Sequence, residues 1–298
     1  MEDWGRQYCF NMINMFFNFP EEWQLNFGQH VGNFVRWLVQ NYSFFFDAIK
    51  DGILWFLLQT RDLFLLIPWP IFLIFIFILG WKIKNWKSGV VFSVLIFTIG
   101  IMGLWDEMML TLSVVLVSVV IACIIAVPLG IIVAYNKKIE NIVRPILDGM
   151  QTMPSFVYLI PAIMLFGLGS VPAVFATVIY STPPAIRLTT LAINGVSKEM
   201  VEAGHAFGST KWQILTKIEL PQAFPTIMMG INQTTMMAMA MVVISSMIGA
   251  RGLGLNVLQA INRIDIGLGF EAGISIVILA ITIDRITQGI ANKYKYPK

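Results

Sequence analysis

The side chains in this sequence that are able to do chemistry are few, and their spacing fits no reaction centre. There are two histidines, His30 and His205, and no H-E-x-x-H or G-x-S-x-G pattern for a metal- or serine-based hydrolase. Ser245 and Ser246 sit in an apolar stretch that holds neither histidine, so a membrane-buried serine nucleophile would lack its base. The stretch from Gly204 to Lys211 has the composition of a phosphate loop without its order. Ser209 and Thr210 precede Lys211, whereas the required order places the lysine ahead of the hydroxyl residue. Cys9 and Cys123, the second inside an apolar run, imply neither a disulfide framework nor a metal site. The residues argue against an enzyme, and no cofactor or metal is expected on the chain itself.

Polar groups and prolines inside apolar segments are the other candidates. Lipid offers them no partner, so they turn toward a bundle interior or a cavity. Asn232, Gln233, Thr234 and Thr235 form one such cluster, while Pro154 and Pro161 in one segment and Pro183 and Pro184 in another free backbone carbonyls. Pro154, Pro183, Pro184 and the four residues from Asn232 to Thr235 are candidates for lining a translocation pathway, with helix–helix hydrogen bonding equally open to each. Asp148, Arg187 and the Asp284-Arg285 pair fall near segment ends, where ion pairing or snorkelling is expected.

The elements that must position these groups are membrane spans. Residues of the AVILMFWYC class make up 57% and charged residues 12% of the 298, against about 45–50% and about 25% in soluble proteins. The 20 basic and 17 acidic side chains nearly cancel, so no nucleic-acid partner is expected. Crossing a bilayer takes about 20 apolar residues, and seven segments approach this: 65–81, 89–105, 108–135, 146–166, 171–193, 224–250 and 269–286. The expected class is an all-α polytopic membrane protein with about seven transmembrane helices, occupying residues 65–290.

Orientation follows from the short loops. Those at 82–87 and 136–144 and the tail at 291–298, with Lys293, Lys295 and Lys298, are basic, so they and the 194–221 loop belong in the cytoplasm. The amino terminus then lies outside, together with Asp106-Glu107, the 167–170 turn and the 251–268 loop. Glu271, near that face, is a candidate contact for an external protein. Residues 1–64 form an outer tail in which Glu2, Asp3, Glu21, Glu22, Asp47, Asp51 and Asp62 outnumber Arg6, Arg36, Lys50 and Arg61. Its alternation of aromatic and charged residues predicts an amphipathic helix at the lipid surface. Glu2, Asp3 and Arg6 among scattered aromatics do not make a cleavable signal peptide.

The 194–221 loop is long where the others are short. Ser197 is placed to cap a helix ending at Gly208, Ser209 to cap a second, and Pro221 to stop it. Trp212, Leu215 and Ile218 give the second helix one apolar face to pack on the bundle. The first offers small residues, Ala203, Gly204 and Ala206, with Phe207 as an aromatic knob suited to another protein's groove.

The spacing Glu202-Ala203-Gly204, three residues, Gly208, nine residues, Ile218-x-Leu220-Pro221 resembles the EAA loop of bacterial ABC importer permeases. Gly204 in place of the second alanine is the one departure, and it loosens the helix slightly. Gln151 to Pro161, Pro183 to Arg187, Gly230 to Gln233, Ser246 to Gly249, Gly269 to Gly273 and Asp284 to Gln288 resemble the glycine betaine/proline betaine branch over about residues 105–290. The resemblance implies a type I importer permease fold in the bacterial plasma membrane. It implies docking of an ATPase subunit through Glu202, Ala203, Gly204, Ala206, Phe207, Gly208, Lys211 and Trp212, with Glu202 meeting a basic or polar group there. It further implies two ATPase subunits using ATP and magnesium, an extracellular substrate-binding protein and a second copy of this permease. Choline, carnitine or proline betaine are alternative cargoes. An ion-gradient secondary transporter is the remote rival, and the inverted repeats it should show are missing from the sequence.

Overall fold

A computed structural model describes residues 27–293. Cys9, Lys295, Lys298 and the charged residues at positions 2, 3, 6, 21 and 22 lie outside the described residues. The chain divides into two compact units, Met1–Ser43 and Phe44–Lys298. In the first, helix α1 (Phe27–Asn41) exposes Val31, Phe34 and Trp37 at helical spacing, with the Phe34 and Trp37 rings stacked at 6.2 Å. Such a stripe is what an interfacial helix presents to lipid.

The second unit begins inside the segment expected to be tail. Helix α2 (Ser43–Leu66) buries Ile53 and Leu57 in one cluster with Val117, Phe166 and Val174. Residues 44–64 therefore pack with the bundle. After a 100° bend come α3 (Trp69–Ile83), then α4 (Trp86–Ile101), α5 (Trp105–Tyr135) and α6 (Lys137–Thr152). A 3-10 turn (Ser155–Tyr158) leads to α7 (Leu159–Phe166), followed by α8 (Ser170–Asn194), α9 (Lys198–Ala206) and α10 (Lys211–Ile214). A π-helical segment (Leu215–Glu219), α11 (Leu220–Ser246), α12 (Leu253–Arg263) and α13 (Ile266–Lys293) complete the order. The described residues contain no strand.

The seven expected segments are largely helical, although 65–81 crosses the bend between α2 and α3 and 146–166 crosses another, but length and composition do not give seven spans. Among the described residues three helices, Trp105–Tyr135, Lys211–Ser246 and Ile266–Lys293, are long and apolar enough to cross a membrane, or up to five if each of two bent pairs is one span. At 16 residues α4 is short. Helix α8 is long enough yet not counted; most of its residues, from Val171 to Ile193, are buried, and a helix walled by protein needs little lipid-facing apolarity.

Three local expectations are corrected. The 146–166 segment is not straight but bends by 107° at Pro154, because Met153, preceding a proline, is extended (φ −69°, ψ 132°). The expected basic loop at 136–144 is the first half of α6, whose N-cap Asn136 accepts the Lys138 N–H at 3.0 Å. The expected outer loop at 251–268 contains α12, entered through Gly252 at φ +117°.

Small residues let α5, α8 and α11 approach closely. A Cβ added to Gly130 would lie 2.6 Å from Thr189 Cβ, and one on Gly230 would lie 3.1 Å from Leu188 Cβ. The Thr190 hydroxyl also donates to the Gly130 carbonyl at 3.0 Å. Across the bundle, the buried Leu253 N–H donates to Thr111 Oγ1 at 2.8 Å. Thr111→Val would leave that donor unpaired at a cost of about 1–3 kcal/mol, read as a lowered melting temperature in detergent.

Candidate coupling site

Ser197 caps α9, accepting the Met200 N–H at 3.4 Å. Its hydroxyl donates to the Glu199 carboxylate at 2.5 Å, which holds that carboxyl below its ordinary pKa. The cap's electrostatic support is therefore present above the ordinary carboxylate pKa and is lost as pH falls through the lowered one. The helix ends as expected at Gly208, in the left-handed region at φ +75°.

The second half of the loop differs from expectation. Thr210, not Ser209, caps α10. It forms a capping box in which Gln213 N–H reaches Thr210 Oγ1 at 3.3 Å and Thr210 N–H reaches Gln213 Oε1 at 2.8 Å. Nor does Pro221 stop the helix. The chain widens into the π-helical segment, where the Leu220 N–H bonds back to the Leu215 carbonyl, and Pro221 then occupies the first turn of α11. A missing N–H is tolerated there. Lys211–Ser246 is thus one 36-residue helical unit, about 54 Å long against a hydrocarbon core of about 30 Å. It extends well beyond the lipid.

The widened turn also rotates the apolar face. Ile214 and Leu215 are buried, whereas Trp212, expected to pack on the bundle, is 71% exposed, and Phe207 is 89% exposed. Glu202, Ala203, Ala206, Gly208 and Lys211 are exposed as well. Gly204 is not; it faces inward, and a Cβ there would lie 2.7 Å from Ile218 Cδ1. Its place is the contact between α9 and the π-helical segment rather than the outer surface.

Sequence reasoning missed Glu219. This acid is 6% exposed and accepts a hydrogen bond from the Tyr135 hydroxyl at the end of α5. The one available signal was an acid flanked by Ile218 and Leu220 on a helix whose inner face carries Leu215.

The pathway candidates separate. Pro183, Pro184, Thr234 and Thr235 are buried within this chain, in α8 and α11. Pro154 and Gln233 are exposed. Asn232 donates to Asp284 Oδ1 at 2.9 Å and accepts from the Thr287 hydroxyl, while Gln288 donates to the same carboxylate at 2.7 Å. Arg187 pairs with Asp148, as expected of residues near helix ends. Glu271 is exposed near the start of α13. No group of three or more potential metal ligands occurs among the described residues.

Residues 126–296 match the family of binding-protein-dependent transport system inner membrane components. The chain is 43% identical over 258 residues to the glycine betaine/proline betaine transport system permease protein ProW of Escherichia coli, covering 87% of this chain and 73% of that one. It is 50% identical over 231 residues to the glycine betaine/carnitine transport permease protein GbuB of Listeria monocytogenes, covering 76% and 82%. Among solved structures, the inward-facing MetNI methionine ABC transporter superposes with a TM-score of 0.59 at 22% identity, over 65% of this chain and 96% of that one. That likeness shows the fold.

Proposed function

The chain belongs to the family of binding-protein-dependent transport system inner membrane components, and from that membership we propose that it is the permease subunit of an ATP-driven importer of glycine betaine or proline betaine. It is a multi-pass, non-catalytic membrane subunit that works with an ATPase subunit and a substrate-binding protein. Carnitine, named for one relative, and choline are the alternative cargoes of the same class. In this reading two copies of the permease enclose the pathway above two ATPase subunits, which consume ATP and magnesium, and this chain holds no cofactor. The basic ends at Lys82, Lys84 and Lys87 lie in the cytoplasm together with the coupling loop, the amino terminus lies outside, and the exposed Glu271 meets the binding protein.

The observation that carries the reading is the pairing of two exposed aromatic knobs, Phe207 and Trp212, with a helix that runs without interruption into the bundle. Exposed aromatics of this kind are what a partner's pocket takes up. The continuous helix that begins at Lys211 passes displacement of Trp212 to α11 without a hinge. In α11, Gly230 lies against Leu188 and Ala185, and Asn232 is bonded to α13, so tilting the loop would shift α8 and α13 as well.

The test is uptake of labelled glycine betaine into proteoliposomes holding this chain, its ATPase and its binding protein. Uptake is expected only with ATP on the ATPase side, and excess unlabelled betaine should compete it away. Uptake driven by an ion gradient without the ATPase would overturn the mechanism. Assembly and ATP hydrolysis without betaine uptake would overturn the cargo.

A further inference from the structure

A cavity of about 790 Å³ opens where α3 gives way to α4, against the last turns of α13. Five cationic side chains line it: Lys82 and Lys84 from the end of α3 and the turn after it, Lys87 from the first turn of α4, and Arg285 and Lys293 from α13. No carboxylate is among its lining residues. Among the described residues none of the four lysines has an ion-pair partner, while Arg285 makes a long ion pair with its neighbour Asp284 at 3.9 Å. The start of α4, capped by Asn85 accepting the Ser88 N–H at 2.9 Å, adds the partial positive charge of a helix's first turn. So many like charges around one opening repel one another unless an anion lies between them.

The helices around this gap are closely seated on one another. A Cβ on Gly80 would lie 2.7 Å from Gly89 Cα, so α3 and α4 touch backbone to backbone. A Cβ on Gly289 would lie 1.9 Å from Ile83 Cγ2, which seats α13 equally tightly. Beyond the charges the lining turns apolar, through Val91 and Ile281, both exposed on outward faces of their helices. Trp81 and Trp86, each next in sequence to a lining lysine, are also exposed, as aromatic residues are at headgroup depth. A ring of cations beside an open apolar wall matches a ligand with a phosphate at one end and hydrocarbon at the other. A soluble anion would use only half of it.

We propose that this cavity binds an anionic phospholipid, its phosphate held among Lys84, Lys87 and Lys293 and its acyl chain laid along Val91 and Ile281. Basic pockets between helix ends at a membrane surface recognise acidic headgroups through this chemistry. The inference rests on the permease reading only in that the chain spans a bilayer.

The experiment is native mass spectrometry of the full chain in mild detergent, titrated with phosphatidylglycerol or phosphatidylcholine. The wild type should retain phosphatidylglycerol at least about tenfold more tightly than phosphatidylcholine. Lys84→Gln/Lys87→Gln should lower that retention by roughly thirtyfold, each lysine near the surface contributing severalfold. Lys137→Gln/Lys138→Gln, on the same expected face but outside the cavity, should leave it unchanged. Equal retention of the two lipids by the wild type would overturn the proposal even if the cavity variant failed to fold. Equal loss in both variants would overturn it in favour of diffuse surface charge, and displacement of the lipid by millimolar inorganic phosphate in favour of a soluble anion. Uptake has no part in the readout, so failure here leaves the transport assignment standing.

Discussion

Replacing both Phe207 and Trp212 by alanine is expected to reduce ATP-driven betaine uptake by about a hundredfold or more while leaving the chain's melting temperature in detergent unchanged. Both rings are mostly exposed and contribute nothing to the core, so the folded chain loses little by their removal. A partner that buries them loses two aromatic anchors. Such anchors are each worth about 2 kcal/mol or more at the centre of an interface, which together exceeds a hundredfold in affinity. The direct measurement is binding of the purified ATPase subunit to the detergent-solubilised permease, followed by uptake in proteoliposomes. Glu202→Lys, on the exposed face of the same helix, separates docking from coupling. It is expected to retain a bound ATPase that hydrolyses ATP while uptake is lost, since it reverses one charge and removes no apolar area. Wild-type uptake by the double alanine variant would show that the loop does not carry the partner, and wild-type uptake by Glu202→Lys with the ATPase bound would remove that glutamate from the contact.

The loop's two helices and its glycine elbow were legible because caps and turns are local. Ser197 and Gly208 act within a few residues of themselves, and a single chain displays that chemistry. Helix existence in the bundle was legible for the same reason, through runs of apolar residues. What the sequence hid depends on distant partners or on backbone register. A proline after Leu220 reads as a stop, and only the wide π-helical turn ahead of it allows the helix to continue. That turn advances the helical phase, which moved Trp212 from the expected buried face to the surface and made Ile214 the inner residue. Likewise, the hydroxyls and prolines of α8 and α11 look identical in sequence whether they line a path or pack against a neighbour. Neighbours such as Gly130 opposite Thr189, 59 positions away in the chain, are invisible to a local reading. The break at Pro154 was foreseen as a loss of backbone bonding, but not the 107° change of direction that the extended Met153 ahead of it introduces.

Tyr135→Phe is expected to lower transport per ATP hydrolysed by about tenfold, because it cuts the one side-chain link observed between Glu219 and the end of α5. Glu219 lies at the junction of the π-helical segment and α11. A push on α10 therefore reaches α11 by continuity, and one on α9 through the Gly204–Ile218 contact, while α5 is reached through this hydrogen bond. Removing the phenol alone leaves a buried carboxylate without its donor, which costs about 1–3 kcal/mol or more and would lower stability as well as coupling. The two effects separate in a second variant. Replacing both partners, as Tyr135→Phe/Glu219→Leu, exchanges a polar pair for apolar groups of similar shape and should be nearly neutral for stability. If the link transmits motion, the double variant regains the wild-type melting temperature but not the wild-type ratio of betaine imported to ATP hydrolysed. If it only fills space, both recover together. Glu219→Gln keeps an oxygen able to accept from Tyr135 and should fall between wild type and Tyr135→Phe in coupling. Measuring melting temperature and the transport-to-hydrolysis ratio on the same three variants distinguishes a strut from a packing contact, since a packing contact cannot lower the second quantity without the first.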